Sequence, residues 1–239
     1  SHNEKIMGIN FPNKLGLAAG FDKNGDYINF ITNIGFGFIE LGTVTPKPQF
    51  GNPKPRIFRV KDDQAIINRL GFNNKGVNYL KNNLLKIDRD IPIGINIGKN
   101  STTKIEKAHE DYEYCMEQIF FLADYITLNI SSPNTKNLRD LHSEGSLNFF
   151  LKQVKKKHDS LTKKYRKHVP IVLKVSPDIQ YDGLESFCKI AIDYEIDGII
   201  ATNTTIDKSV LNDKSINIEG GISGKPLLNK SNNLIKAIK

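Results

Sequence analysis

Residues 169–176 read VPIVLKVS, an apolar run interrupted only by Lys174. A strand with one wet face alternates apolar and polar residues, whereas a strand covered on both faces is apolar almost throughout. Working outward, five more runs share this character: KLGLAAG (14–20), FGFIELGTV (36–44), IPIGINIG (91–98), YITLNIS (125–131) and DGIIATNTT (197–205). Amphipathic stretches suited to helices separate them, at about 25–34, 74–86, 103–122, 144–166 and 181–194, and a last helix starts near Pro226. Buried strands alternating with helices predict a parallel sheet.

The longest connections, 45–73, 132–143 and 205–225, each follow the C-terminal end of a strand and are expected to be irregular. Loops at that end build the active site of a β/α barrel. A doubly wound sheet also binds ligands there, but its first βα turn is glycine-rich, and AAGFDKNG (18–25) does not fit GxGxxG. The predicted fold is therefore α/β, a TIM (β/α)8 barrel. Six βα units can be counted where closure takes eight. The expectation is one domain over residues 1–239, truncated to about six units and incomplete at its C-terminus.

Composition narrows the function classes. A chain of 239 residues suits one barrel-sized domain. Cys115 and Cys188 form no CxxC, which excludes a disulfide framework and a cysteine zinc site and points to a reducing compartment. No apolar run approaches the roughly 20 residues that span a bilayer. Much of the net charge of +8 comes from KQVKKKHDSLTKKYRKH (152–168), read as the solvated face of a helix, with an anionic lipid surface as the sharper alternative. No aromatic residues stand at regular intervals among those lysines to stack on bases, so nucleic acid is not an expected partner. The five histidines lack metal spacing, most lie in helices or beside basic runs and are expected at the surface, and no metal site is expected.

The polar interruptions carry the chemistry. An ammonium among apolar neighbours, as at Lys174, must lose its proton, find an anion or reach solvent. A ligand that becomes negative, such as a reduced flavin ring, would serve. Asn96, Asn129 and Asn203 each interrupt or end a strand, and buried carboxamides must satisfy donors and acceptor alike. In a parallel sheet they would converge at comparable depth on one ligand bearing alternating C=O and N–H groups, a pyrimidine or flavin ring. Ser132 precedes Pro133 in NISSPN (129–134) and could act as a general base. No acid–histidine pair accompanies it, which argues against a hydrolase triad. GGISG (220–224) reads as a flexible loop whose amides could approach a phosphate or ribityl chain. GINIGK (94–99) is one residue short of a P-loop, and no Ser or Thr follows its lysine.

The ordered set LGLAAGFDKNG, FGFIELGTVTPKPQFGNPKPRIFR, IINRLGFNN, GINIGKN, NISSPNTKNLR, VLKVSPD, IATNTT and GGISGKPL, from about residue 7 to 230, closely resembles dihydroorotate dehydrogenase of the class 2, quinone-linked type. The resemblance implies an FMN-binding barrel that oxidises (S)-dihydroorotate to orotate in pyrimidine synthesis, with quinone reoxidising the flavin. By position it implies flavin contacts at Ala19, Gly20, Phe21, Asp22, Lys23, Thr43, Asn96, Asn129, Lys174, Thr202 and Gly224. It implies a substrate cradle of Lys23, Asn68, Arg69, Leu70, Gly71, Phe72, Asn129, Asn134, Asn203 and Thr204. Ser132 matches the base that takes the C5 proton while hydride leaves C6 for N5 of FMN. Class 1 enzymes place a cysteine there, and both cysteines of this chain fall in predicted helices.

Family members of this type also carry an N-terminal helical extension for quinone and membrane contact, and two further βα units that hold the FMN phosphate. The resemblance therefore implies peripheral attachment to the cytoplasmic face of a bacterial inner membrane, or to the mitochondrial inner membrane in a eukaryote. The chain as given is expected to behave as a soluble fragment that holds FMN weakly. Two other readings stand beside this one. The first is a non-catalytic barrel fragment that binds a nucleotide or a protein. The second is another FMN-dependent pyrimidine oxidoreductase such as dihydropyrimidine dehydrogenase, which would want a cysteine near Ser132 and iron–sulfur cysteines.

Overall fold

A hairpin precedes the first predicted strand: β1 (Glu4–Ile6) and β2 (Ile9–Phe11) pair antiparallel. Its turn residues Met7 and Gly8 have φ of 52° and 79°, the left-handed pair that matches the twist of a two-residue hairpin. The computed structural model describes residues 3–239. The chain continues through β3 (Gly16–Leu17), α1 (Ile28–Thr32), β4 (Phe38–Val44), β5 (Ile57–Val60), β6 (Ala65–Asn68) and α2 (Val77–Leu84). It then alternates through β7 (Ile93–Ile97), α3 (Ala108–Ile119), β8 (Tyr125–Asn129), α4 (Glu144–Tyr165), β9 (Ile171–Val175), α5 (Tyr181–Asp193) and β10 (Gly198–Ala201). β11 (Gly221–Gly224) and α6 (Leu228–Ile238) complete the described residues.

Six strands form one parallel sheet in the order β3-β4-β7-β8-β9-β10. Each new strand joins the same edge, and the order never reverses. A doubly wound sheet has a reversal point; a β/α barrel does not. The first predicted strand shrinks to two residues and the helix expected at 25–34 to five. Asp22 accounts for part of this, because its carboxylate accepts the amides of Asn24, Asp26 and Tyr27 and fixes that stretch as a turn.

The two faces of the sheet differ. Ile39, Leu41, Ile95, Ile97, Ile126, Leu128, Leu173 and Val175 join Leu80, Tyr112, Met116, Phe150 and Phe187 of the helices in one buried cluster. Each such fully buried side chain contributes about 1.5–3 kcal/mol. The alternate residues form the inner face: Phe38, Glu40, Gly94, Asn96, Tyr125, Thr127, Asn129, Val172 and Lys174. Small residues there make room for large ones, since a Cβ on Gly94 would lie 2.0 Å from the Tyr125 ring and one on Gly16 2.1 Å from that of Phe38.

The expected irregular loops hold a second sheet. β6 pairs antiparallel with both β5 and β11, over a small core of Ala65, Ile67, Leu211 and Ile222. Residues 57–60 and 65–68 alternate in burial, as a strand with one wet face does. GGISG is therefore paired strand rather than flexible loop. Its glycines serve close approach: a Cβ on Gly220 would meet the Asn68 carbonyl oxygen at 2.4 Å, and one on Gly224 that of Gln64 at 2.4 Å. Thr205 and Ile222 exchange backbone hydrogen bonds, so this sheet is tied to the end of β10.

In α4, Leu147, Phe150, Leu151, Val154, His158 and Leu161 form the buried stripe, and Lys152, Lys156, Lys163 and Lys164 are exposed, as the solvated-face reading expects. His158 departs from the surface expectation. It falls on the apolar stripe, meets the Val169 carbonyl oxygen at 2.8 Å and packs edge-on against Phe120. Cys115 lies in α3 and Cys188 in α5. Among the described residues no helix is long and apolar enough to cross a membrane.

Candidate active site

The inner-face residues near the strand ends form one continuous hydrogen-bonded array. Thr43 Oγ1 donates to Asn96 Oδ1 at 2.5 Å and accepts from Asn129 Nδ2 at 3.0 Å. Asn129 Oδ1 accepts from the Ser131 amide at 3.3 Å, the Ser131 hydroxyl at 3.1 Å and Asn203 Nδ2 at 3.3 Å. The predicted amides therefore meet, though not at one depth. Asn129 is level with Lys174, Asn96 is level with Thr127, and Asn203 lies beyond the end of β10. Strand stagger, inherent in a tilted barrel sheet, accounts for the offset.

Beneath the array lies a carboxylate that the sequence reading passes over. Glu40, 5% exposed, accepts from Asn96 Nδ2 at 2.8 Å, Thr127 Oγ1 at 2.9 Å and the Tyr125 hydroxyl at 3.2 Å. Burial, reinforced by the charge of Glu40, pushes the Tyr125 phenol well above its usual range, which keeps it a neutral donor. The available signal was an acidic residue inside the run FGFIELGTV, two positions from the inward-facing Gly42.

Lys174 faces the same interior. It is 9% exposed and has no hydrogen-bond or ion-pair partner among the described residues. It lines a cavity of about 580 Å³ with Glu40, Tyr125, Phe38 and Phe11. A cation in such surroundings suits an anionic ligand.

Ser132 begins the next loop, 6% exposed, and its hydroxyl accepts the Asn134 amide at 3.3 Å. Asn134 Nδ2 donates to the carbonyl oxygen and side-chain oxygen of Asn68 at 3.1 and 3.2 Å, joining this loop to β6. Arg139, also missed in the sequence, clamps the loop. Its guanidinium donates to the Ser131 carbonyl at 3.0 Å, the Thr204 carbonyl at 2.9 Å and Asp178 at 2.8 Å. Burial pushes the Asp178 carboxyl up, but hydrogen bonds from Lys230, Thr205, the Ile206 amide and Arg139 outweigh it and hold it below the usual range. Asp178 is thus a fixed anion anchoring the clamp.

On the opposite rim the Gly20 amide donates to the Gly42 carbonyl at 2.8 Å, which brings the AAGFDKNG turn onto β4. Lys23 lines a groove there with Phe21, Arg56 and Leu70. Burial, with Arg56 adding, lowers its pKa to about 8. Gly20 has φ of 111° and open space where a Cβ would stand. Two buried asparagines hold the 45–49 segment: Asn74 bonds Thr45 and the Phe72 carbonyl, and Asn100 bonds Lys47 and Gln49.

Other predicted residues stand apart from the array. Arg69 donates to the Pro55 carbonyl and stacks over Phe58. Leu70 and Gly71 offer their carbonyls to Asn52 and Gln49. Phe72 is buried beside Gly98. Phe21 is 71% exposed, Asp22 is occupied in its turn, and Gly224 is exposed at the end of β11. Thr202 and Thr204, by contrast, adjoin the array: they flank Asn203, each hydrogen-bonded to it.

Comparison with known proteins shows the family and the fold. The sequence profile of the family described as dihydroorotate dehydrogenase matches residues 1–239. The chain is 55% identical to a dihydroorotate dehydrogenase (quinone) of Buchnera aphidicola subsp. Schizaphis graminum, over 98% of its length and 70% of the relative's. It is 51% identical to proteins of that name from Psychrobacter arcticus (96% of this chain, 67% of the relative) and Neisseria meningitidis serogroup A (98% and 70%). It superposes on the crystal structure of DHODH from Eimeria tenella in complex with ferulenol with a TM-score of 0.91 at 36% identity, covering 99% of this chain and 68% of that one.

Proposed function

The chain belongs to the dihydroorotate dehydrogenase family, and from that membership we propose that its strand-end amides and Lys174 hold FMN against a dihydroorotate cradled by Asn68, Asn134 and Asn203. It oxidises dihydroorotate to orotate in pyrimidine biosynthesis, with quinone as the final acceptor. Quinones dissolve in lipid, so the proposed place of action is a membrane surface.

One observation carries the reading: the Thr43 hydroxyl joins Asn96 and Asn129 in a single array, and Lys174, without a partner among the described residues, stands level with Asn129. The residues suit FMN on their own chemistry. Asn96 and Asn129 each keep one N–H that no described residue accepts, which suits the carbonyl and imine acceptors of the flavin ring. Lys174 suits a ring that becomes anionic when reduced. Once bound, FMN supplies a two-electron acceptor.

The chain's own residues do the rest. Lys174 is a cation fixed in place before the negative charge develops, which is how preorganised electrostatics lowers a barrier. Ser132 takes the C5 proton of dihydroorotate. In support, its hydroxyl accepts the amide of Asn134, which in turn bonds Asn68, and its burial limits access of bulk water. Lys23, mostly charged at neutral pH, receives the substrate carboxylate. Ala19, Gly20, Thr202 and Gly224 complete the proposed flavin contacts, and Thr204 the substrate contacts.

The test is anaerobic single-turnover bleaching of the flavin's visible absorption by dihydroorotate. Ser132→Ala should bind FMN within about threefold of the parent and bleach at least about 100-fold more slowly, as expected when a general base is removed. Bleaching at the parent rate across the accessible pH range would refute Ser132 as the base.

A further inference from the structure

We propose that Glu40 is a positioning residue that sets the direction of every hydrogen bond in the amide array; its consequence for the cofactor rests on the flavin reading above. A carboxylate can only accept hydrogen bonds. The amide nitrogen of Asn96 must therefore face Glu40 Oε1, and its oxygen faces Thr43. That oxygen takes the Thr43 proton, so the lone pair of Thr43 is what remains for Asn129. Asn129 must then present its nitrogen to Thr43 and its oxygen to Ser131 and Asn203. One anion at the bottom thereby dictates the orientation of two amides, on β7 and β8, through a hydroxyl on β4.

The surroundings of Glu40 support this role over a conventional one. No cation pairs with it among the described residues, so it is not half of a salt bridge. Its remaining oxygen is held by Thr127 and Tyr125, two hydroxyls that orient freely and impose no direction of their own. Asn96 and Thr43 are 0% and 4% exposed, so water does not compete for the same bonds. An amide that flips would turn an oxygen toward the flavin's acceptors in place of an N–H. The array therefore stays a donor surface because Glu40 is a pure acceptor.

The experiment reads Asn96 and Asn129 directly, as side-chain amide pairs in ¹⁵N–¹H spectra of the cofactor-free chain. Glu40→Met keeps the size and removes the acceptor. It should speed solvent exchange at Asn129 about tenfold, as loss of one oriented bond implies, although residue 129 does not touch residue 40. Glu40→Gln keeps an accepting oxygen and should leave both pairs protected. Thr43→Val cuts the array in the middle: Asn129 should be released while Asn96, still held by Glu40, stays protected. In FMN titrations, Glu40→Met should weaken binding about tenfold and Glu40→Gln less than about threefold.

An unchanged Asn129 in folded Glu40→Met overturns the proposal. So does release of Asn96 in Thr43→Val, which remains decisive if Glu40→Met does not fold. Equal damage from Glu40→Gln and Glu40→Met would show that charge, not acceptor direction, is what matters. Failure of the parent chain to bind FMN would count against the flavin reading alone, because the amide spectra need no cofactor.

Discussion

Replacing Arg139 by lysine keeps the positive charge and removes the fork. The guanidinium holds three acceptors on three parts of the chain: the Ser131 carbonyl, the Thr204 carbonyl and Asp178, at 3.0, 2.9 and 2.8 Å. An ammonium is a point donor on a flexible stem, so it can keep Asp178 but not both carbonyls as well. Two charge-assisted bonds are lost, each worth about 1.5–3 kcal/mol when buried. The Arg139 side chain is 20% exposed, so partial replacement by water brings the total to about 2–4 kcal/mol. For a chain of this size that lowers the melting midpoint by roughly 5–15 °C. The catalytic effect should exceed the thermal one. Ser131 adjoins Ser132 and Thr204 adjoins Asn203, so loosening the clamp moves the proposed base relative to the cradle. A displacement of the order of an ångström costs roughly 100-fold in rate. Thermal melting followed by circular dichroism gives the first quantity, and stopped-flow flavin bleaching by dihydroorotate the second. An Arg139→Lys protein that melts within about 2 °C of the parent and bleaches at an equal rate would show that the clamp neither stabilises the fold nor positions Ser132.

Two further outcomes follow from other parts of the site. Gly94→Ala puts a Cβ 2.0 Å from the Tyr125 ring and should destabilise the chain by about 2–5 kcal/mol, combining overpacking with a weakened Tyr125–Glu40 bond; denaturant titration measures it, and a loss below about 0.5 kcal/mol would contradict the packing described. Lys23 titrates near 8, and a bound carboxylate raises that value, so orotate binding at pH 8 should take up as much as about half a proton; calorimetry in buffers of different ionisation enthalpy counts it, and zero uptake would remove Lys23 from the carboxylate site. The sign for stability is separate. The folded pKa lies below the ordinary lysine value of about 10.5, so the unfolded chain binds more protons between about pH 8 and 10.5, and stability from this group rises with pH across that window.

Some of this was legible in the sequence because it depends on composition along one strand. The runs at 91–98, 125–131 and 169–176 name β7, β8 and β9, and Asn96, Asn129 and Lys174 stand out as polar residues in apolar surroundings. What was not legible depends on lateral register. Glu40 acquires its role from Asn96 on β7 and from Tyr125 and Thr127 on β8, and nothing in FGFIELGTV specifies which residues will face it. Arg139 is likewise ordinary in NLRD until the fold brings the Thr204 carbonyl to it, 65 residues away. The second sheet was hidden for a different reason. Its strands are four residues each, and the glycines of β11 resemble a loop because close backbone approach and flexibility draw on the same residue.

The pairing of β6 with β11 has a bearing on how the protein is made. Asn68 donates to the Gly221 carbonyl across 153 residues, and Asn134 closes on Asn68 from between them. Adjacent parallel strands can assemble as the chain leaves the ribosome, each upon its predecessor. The pairing of β6 with β11, the proposed wall of the substrate cradle, cannot, because Gly221 follows Asn68 by 153 residues. Until β11 emerges, then, the β6 edge of the β5–β6 hairpin stays open, and such edges attract other chains. Charge stands close to that edge: Arg59 in β5, and Lys61 and Asp62 at the turn, are exposed and work against uncontrolled association. The proposed cradle wall therefore doubles as a segment whose solubility during synthesis needs protection.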